Sequence, residues 1–324
     1  LALCNTYSAN RNITCSAAAG TAIACGRKTN NEYIGVDPDG KPMESIAYAL
    51  HDQGYNVGIM TTVPVNHATP AAFYAGVTSR KKTYDIAKQF TESEVDVAIG
   101  GGLNHFINRP DSLDLTAVLI NKGYDVYLDW GSVLKTGSDR FIGILPLTDV
   151  HRRESKNVSA GAAEGQEVCL AAQLAAAEGD GGTSTVSEPE VYLEKATAKA
   201  LDVLSRKNSK GFFLMIESAI IDGYGHNNDS DGMIADMREF DRLLRQLVNH
   251  VNENPNTLLV VTADHQTGGL SLKDGDKEKG EVKGHFSTFN HSGVSVPVYA
   301  TGVGASAFTG VMDNTELAPR IRQA

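Results

Sequence analysis

Acidic and histidine side chains follow an apolar stretch at short, regular intervals. Residues 211–216 lead directly into Glu217, Asp222 comes five residues later, and His226 follows after four more. Apolar runs of this length are typical of strands buried on both faces. Burying an unpaired charge is unfavourable, so this set predicts a metal cation. The alternative is a solvated loop in which the charges have no partner.

A second apolar stretch repeats this arrangement. Residues 258–263 are followed at once by Asp264 and His265. In open parallel α/β sheets, sites form outside the carboxyl ends of the strands. Mixed oxygen and imidazole donors suit Zn²⁺, whereas an all-oxygen neighbourhood suits Mg²⁺. Two such clusters at one sheet edge predict more than one metal ion.

Ser16 and Arg80 are candidates for handling an anion. Ser16 opens a row of Ala and Gly that ends at Gly26, which predicts a helix over residues 16–25. Small residues allow a ligand or another element to come close, and a helix N-terminus favours an anion. An ordinary N-cap remains the alternative for Ser16, and a cation at a helix end remains the alternative for Arg80.

The elements that would hold these residues alternate between helix and strand. Residues 1–15 show no periodicity, whereas the patterns predict the helices 42–53, 187–206 and 233–251 and the strands 56–60, 95–99, 124–128 and 294–301. The last of these helices would bury Met233 and Met237, and a capping box at 187–190 would open the helix before it. Residues 152–186 and 273–285 read as surface insertions. The pattern predicts a single α/β domain over residues 1–324, with a predominantly parallel sheet.

Composition excludes several functional classes. The 324 residues carry a formal net charge of -10 without any basic block, which argues against a general nucleic-acid-binding surface. No run of ~18 apolar residues is present, so we expect no membrane span. The four cysteines lack C-x-x-C spacing, and a helix would hold Cys15 and Cys25 roughly 15 Å apart, too far for a disulfide. No secretory signal peptide is visible at the start of the sequence.

Five motifs, in this order and spacing, resemble those of the alkaline phosphatases. They are Thr-Cys-Ser-Ala-Ala at 14–18, His-Ala-Thr-Pro at 67–70 with Arg80 following, residues 217–226, residues 261–265, and His-Ser-Gly at 291–293. The resemblance implies a three-layer α/β sandwich with a predominantly parallel central sheet. It also implies hydrolysis of small-molecule phosphate monoesters, a homodimer, and a periplasmic or secreted location.

The resemblance also implies a role for each candidate residue. Ser16 would be the phosphoryl-accepting nucleophile, and Arg80 would bind the phosphate oxygens. Two Zn²⁺ and one Mg²⁺ would be bound. The implied ligands are Asp222, His226 and His291 for one zinc, Asp264 and His265 for the other, and Thr69 and Glu217 for magnesium, with His67 beside it.

Two departures from the family pattern support other interpretations. Cys15 stands where the family usually has Asp before its nucleophile, and that Asp normally helps to hold the arginine. We also expect the family's N-terminal strand, whose Asp bridges two metals, to be absent, since no acidic residue precedes Ser16. The alternatives are a phosphodiesterase or sulfatase of the same superfamily, or a truncated, inactive relic that binds metal or phosphate.

Overall fold

The computed structural model describes residues 1–146, 192–206, 210–278 and 281–324. Within these ranges no helix is both long and apolar enough to cross a membrane. The predicted insertion at 152–186 and the capping box at 187–190 lie outside the described residues. Of the cysteines inside them, Cys4, Cys15 and Cys25 are free thiols, as predicted for Cys15 and Cys25.

The described elements follow one another in the alternating order that the sequence predicts. The helices are α1 (Ser16–Cys25), α2 (Ile46–His51), α3 (Ala68–Ala71), α4 (Thr83–Phe90), α5 (Asn104–Ile107), α6 (Leu115–Asn121), α7 (Trp130–Lys135), α8 (Tyr192–Arg206), α9 (Ile220–His226), α10 (Ser230–Glu253) and α11 (Leu317–Gln323). The strands are β1 (Ala2–Asn5), β2 (Asn56–Pro64), β3 (Val97–Gly101), β4 (Asp125–Tyr127), β5 (Phe141–Ile144), β6 (Phe212–Glu217), β7 (Leu258–Thr262), β8 (Gln266–Thr267), β9 (Ser271–Asp276), β10 (Glu281–His285), β11 (His291–Ser292), β12 (Val296–Gly302) and β13 (Gly310–Asp313).

Five of these strands form a central parallel sheet in the order β4-β5-β3-β2-β6. Its middle strands are buried on both faces, and successive side chains enter different hydrophobic clusters. Ile59 and Ala98 pack with α4 and α6 on one face, while Met60 and Ile99 pack with α8 and α10 on the other. Helices therefore cover both faces of the sheet, which confirms the three-layer α/β architecture.

Strands β6 and β7 are less buried than the sequence predicts. The prediction of full burial is wrong, because Met215 is the one buried residue of β6 and all of β7 is half-buried. The reason is their position at sheet edges. Strand β6 pairs with β2 alone, and β7 pairs with β12 alone among the described strands. Both faces of each strand still contact a hydrophobic cluster, through Phe213 and Leu214 of β6 and through Leu259 and Val260 of β7.

A second, four-stranded sheet has the order β13-β1-β12-β7. It contains two strands that the sequence patterns miss. The expectation of no element in residues 1–15 is wrong, because β1 buries Ala2 and Cys4 between two neighbouring strands. The strand predicted at 294–301 is β12, but it is not the last one, since β13 follows it. Strands this short give too little alternation to be recognised in isolation.

The structure confirms one predicted helix end, moves a predicted helix start, and exposes a residue that was predicted to be buried. Helix α1 ends at Cys25 as predicted, with Gly26 in the left-handed region at φ 67°. Helix α2 begins at Ile46 rather than near residue 42, because the Ser45 side chain caps it by accepting from the Tyr48 amide. Met237 is not a core residue, since 46% of it is exposed on α10.

The structure also differs from the sequence-based predictions in the segment 273–285 and in the buried face of α10. The charged segment expected to be a loop near 273–285 is an antiparallel hairpin of β9 and β10. On α10, Asp236 and Glu239 are buried in addition to Leu243, Leu247 and Val251, so the buried face is rotated from the apolar pattern.

Candidate active site

The candidate residues meet at the carboxyl ends of β6 and β7. Strand β6 ends at Glu217, and α9 begins three residues later. One helical turn separates Asp222 from His226 on α9, so both side chains lie on the same side of that helix. Asp264 and His265 follow β7 directly and lead into β8. The fold thus brings together the two clusters that the sequence places at separate strand ends.

Asp222, His226 and His291 form one compact cluster. Their ligand atoms all lie within 4.8 Å of one another. Oδ2 of Asp222 is 3.5 Å from Nε2 of His226, and Oδ1 is 3.7 Å from Nε2 of His291. One carboxylate and two imidazoles leave a position open for water or substrate, the arrangement of a catalytic zinc site.

The backbone contacts of the two histidines indicate that Nδ1 carries a proton in each ring. Nδ1 of His226 lies 2.6 Å from the carbonyl oxygen of Phe289, and Nδ1 of His291 lies 2.8 Å from that of Thr14. A carbonyl oxygen can only accept, so each Nδ1 carries the proton and each Nε2 of a neutral ring carries a lone pair. Lone pairs directed at one point fit a metal cation.

Ser16 contacts the second cluster. Its Oγ lies 3.0 Å from Nε2 of His265, and that nitrogen is 3.2 Å from Oδ2 of Asp264. Ser16 is buried and is the first residue of α1, whereas the N-cap is Cys15. The N-cap alternative for Ser16 is therefore wrong. The ring of His265 also stacks on that of His291 with centroids 3.5 Å apart, so the two clusters adjoin.

Glu217 is held by hydroxyl groups of neighbouring elements. Thr61 donates to Oε2 of Glu217 over 2.5 Å, and the Thr69 side chain forms a second hydrogen bond to this carboxylate. Thr61 lies opposite Glu217 in the pairing of β2 with β6. The sequence analysis missed Thr61, and only strand register could have identified it. Three oxygen-bearing side chains so close together suit a hard cation such as Mg²⁺.

The pKa values in the site are strongly perturbed. Burial and then Asp264 raise the pKa of Glu217 to about 7. Burial and the negative charge of Asp222 raise the pKa of Asp264 to about 6. Burial lowers the pKa of His265 to about 3, with His291 as the next cause. Neighbouring negative charges therefore help to raise the pKa values of Glu217 and Asp264, and a cation between the carboxylates would remove that effect.

Arg80 is held by groups other than the side chain at position 15. Its Nη2 lies 3.0 Å from Nε2 of His67, and its backbone N–H donates to the carbonyl oxygen of Glu32 over 2.8 Å. The Glu32 amide in turn donates to Sγ of Cys15 over 3.1 Å. Glu32 has φ 74°, a backbone conformation that favours glycine. The sequence analysis missed this turn, which links the residue before Ser16 to Arg80.

His67 lies beside this group. Burial and then the positive charge of Arg80 lower the pKa of His67 to about 3. Its Nδ1 is buried and has no hydrogen-bond partner in the structure. The ring is therefore neutral, and because a guanidinium can only donate, Nε2 of His67 accepts from Arg80 and the ring proton is on Nδ1.

Small residues explain how α1 reaches the site. A Cβ added at Gly20 would lie 3.2 Å from Cα of Thr69 and 3.4 Å from Cβ of Ala72. Any larger side chain at position 20 would therefore push α1 away from α3 and the residue after it. The row of Ala and Gly brings the helix that begins with Ser16 against the helix that carries Thr69.

Comparison with known proteins identifies relatives over most of the chain. A family model described as alkaline phosphatase matches residues 1–285. Alkaline phosphatase 4 of Bacillus subtilis is 29% identical over 383 residues, covering 95% of this chain and 75% of that protein. Streptomycin-6-phosphate phosphatase of Streptomyces griseus is 30% identical over 352 residues, covering 94% of this chain and 76% of that protein.

Solved structures are similar over an even larger share of the chain. The alkaline phosphatase of the Antarctic bacterium TAB5 superimposes with a TM-score of 0.82 at 30% identity, covering 99% of this chain and 87% of that one. A variant of the TAB5 enzyme solved with Mg bound in its M3 site gives a TM-score of 0.81 at the same identity. The similarity thus includes both sheets and every cluster described above.

Proposed function

Because the chain belongs to the alkaline phosphatase family and so hydrolyses phosphate monoesters, we propose that it does so with metal ions and through a phosphoserine on Ser16. The observation that carries this proposal is the position of Ser16. Its hydroxyl is buried at the start of α1 and lies 3.0 Å from Nε2 of His265, among three convergent imidazoles and three carboxylates. A serine needs activation to act as a nucleophile, and this cluster is suited to supply it.

The donor sets fit two kinds of cation. Asp222, His226 and His291 would hold one Zn²⁺, and Asp264 with His265 would hold a second beside Ser16. Glu217 and Thr69 would hold Mg²⁺, with His67 beside it. Bound cations would neutralise phosphate charge and favour the ionised form of the Ser16 hydroxyl.

The chain's own residues then carry out two displacements. Ser16 Oγ forms a bond to phosphorus while the ester P–O bond breaks, and the alcohol leaves with a proton. A water oxygen next attacks the phosphoserine, the P–Oγ bond breaks, and Ser16 regains its proton as inorganic phosphate departs. Arg80 would bind non-bridging phosphate oxygens with its planar, multiply donating guanidinium. Among the described residues, the guanidinium of Arg80 contacts His67 through Nη2.

A phosphodiesterase or sulfatase of the same superfamily is the competing proposal. The monoesterase is favoured by Thr69, Glu217 and Arg80, because a magnesium site and an arginine together suit the binding of a dianionic terminal phosphate. An inactive metal- or phosphate-binding relic is the other alternative, and the replacement of the usual Asp by Cys15 is what favours it. The contact between the Arg80 guanidinium and His67 argues against this alternative, since it holds the arginine side chain without an Asp at position 15.

Turnover of three chromogenic substrates tests the proposal. We expect p-nitrophenyl phosphate to be hydrolysed faster than bis(p-nitrophenyl) phosphate and p-nitrophenyl sulfate, with zinc and magnesium supplied. Acid quenching followed by mass spectrometry should recover phosphate on Ser16. Preference for the diester or the sulfate would overturn the monoesterase, and zinc binding without any turnover would establish the relic.

We also propose that residues 1–324 act as one catalytic domain, because the site draws on both sheets. A homodimer and a periplasmic or secreted location stay predictions of the family resemblance. Light scattering of the purified chain and fractionation of the cells that make it would test them.

A further inference from the structure

Thr267 lies between two of the proposed metal-binding residues, and the sequence analysis gave it no role. Its Oγ1 is hydrogen-bonded to Oδ1 of Asp222 and lies 3.2 Å from Nδ1 of His265. We propose that Thr267 is a positioning residue that fixes the ring tautomer of His265 and couples it to Asp222. The consequence for metal binding rests on the proposed function, whereas the tautomer itself does not.

The direction of the hydrogen bonds follows from what each group can donate. An ionised carboxylate only accepts, so the hydroxyl proton of Thr267 goes to Asp222. Oγ1 of Thr267 can then only accept from His265, which requires the proton of the ring to be on Nδ1. Nε2 of His265 is left with its lone pair, and it faces Ser16 Oγ and Oδ2 of Asp264.

Packing holds the Thr267 hydroxyl in this orientation. Thr267 is 8% exposed and lies opposite His291 in the pairing of β8 with β11. A Cβ added at Gly225 of α9 would lie 3.0 Å from both Cβ and Cγ2 of Thr267. The backbone of α9 therefore packs closely against Cβ and the methyl group of Thr267, and this contact restricts rotation about χ1.

His265 differs from the other two histidines of the site in the partner of its Nδ1 atom. The Nδ1 atoms of His226 and His291 contact backbone carbonyls, which no substitution removes. Nδ1 of His265 contacts a side-chain hydroxyl instead. Partners of this kind orient metal-binding rings, and their loss weakens metal affinity. Since Thr267 also donates to Asp222, one hydroxyl contacts a residue of each proposed zinc site.

Three variants isolate the hydroxyl. Thr267→Val removes it at nearly constant shape, and Thr267→Ser keeps it. Thr29→Val is the matched control, because Thr29 is fully buried and its hydroxyl has no hydrogen-bond partner among the residues that the structure describes. Circular dichroism and thermal unfolding establish whether each variant is folded.

Long-range ¹H–¹⁵N spectra of the metal-free full chain test the tautomer directly. We expect His265 to be protonated on Nδ1 in the original chain, in Thr267→Ser and in Thr29→Val, and to become a mixture of tautomers in Thr267→Val. An unchanged tautomer in Thr267→Val overturns the proposal. Protonation on Nε2 in the original chain overturns it as well, even if Thr267→Val fails to fold.

Zinc affinity, measured by competition with a chromogenic chelator, tests the consequence. We expect Thr267→Val to weaken binding about tenfold to hundredfold at the weaker of two zinc positions, while Thr267→Ser and Thr29→Val stay close to the original. Equal affinity in Thr267→Val overturns the role in metal binding. If the original chain binds no zinc, the proposed function fails, and the tautomer measurement still decides the role of Thr267.

Discussion

The Nε2 atoms of His226 and His291 lie 3.2 Å apart, and the Nδ1 atom of each ring faces a backbone carbonyl. In neutral rings this arrangement directs two lone pairs at each other, which is unfavourable. A proton or a metal cation must therefore lie between them. This one relationship favours a metal centre more strongly than the composition of the cluster does, because it fixes the tautomers as well as the residue types.

Removal of metal should abolish activity. The half-buried carboxylates and imidazoles of the site are arranged for cations, so dialysis against a strong chelator should eliminate phosphomonoester turnover, and added zinc should restore it. Elemental analysis before and after dialysis checks the metal content. Absence of zinc in the purified protein, together with chelator-resistant turnover, would refute the metal centre.

Stepwise zinc addition should fill the positions in a fixed order. Asp222, His226 and His291 provide three protein ligands and should bind the first zinc. Asp264 and His265 provide fewer and should bind the second. Glu217 and Thr69 should hold magnesium weakly, because a magnesium site with few carboxylates keeps several waters. Titration monitored by calorimetry would show these steps, and His291→Ala should remove the tightest one. Loss of a weaker step instead would contradict this order.

Ser16→Ala should leave the fold intact and remove the phosphoenzyme. Because Ser16 would form the covalent bond to phosphorus, turnover should fall by about 10³-fold or more. Ser205→Ala is a suitable control, since Ser205 lies at the end of α8 and, within the described part of the chain, its hydroxyl donates to carbonyl groups of that helix. Mass spectrometry that trapped phosphate on another residue would refute the assignment.

Arg80→Ala should weaken the interaction with phosphate by about 2–3 kcal/mol, the magnitude of hydrogen bonds to a charged group. Arg80→Lys should recover only part of this, because an ammonium cannot bind two oxygens in the same plane. Inhibition by inorganic phosphate and kcat/KM for a phosphomonoester provide the two measurements. Arg245→Ala on the exposed side of α10 is the control. Unchanged inhibition in Arg80→Ala would exclude a phosphate-binding role.

Glu217 should make the metal-free chain less stable as pH rises. Its pKa lies at about 7 in the folded protein, above its ordinary value of 4.5. The folded state therefore binds the proton more tightly, so this stabilisation is complete below pH 4.5 and is lost as pH rises to about 7. Glu217→Gln should then be more stable than the original chain above pH 7 by about 2 kcal/mol, less than the full shift implies because the residue is partly exposed.

Urea unfolding of the chelator-treated chains at several pH values measures this difference. The gap between Glu217→Gln and the original chain should shrink as pH falls toward 4.5. Glu253→Gln, at the exposed end of α10, should show no such trend. A gap that is the same at every pH would mean that Glu217 does not titrate in this range.

The residues that meet at the candidate site were easier to predict from the sequence than the residues that hold them in place. Glu217, Asp222, His226, Asp264 and His265 were recognisable because each follows an apolar run that had to be a strand. Thr61, Thr267 and Glu32 were not, because their partners are 156, 45 and 17 residues away in the chain. No local pattern of residue types reports a contact over such a distance.

The sequence alone determined the residue types at the strand ends, the row of small residues after Ser16, and the alternation of apolar runs that specifies a layered α/β fold. These features are local, so neighbouring residues suffice to reveal them. Only the tertiary structure decided which strands lie at sheet edges, which nitrogen of each imidazole carries the proton, and that Glu32 links the backbone of Arg80 to Cys15. Each of these depends on backbone groups that strand order and helix packing bring together, and a linear sequence does not contain their positions.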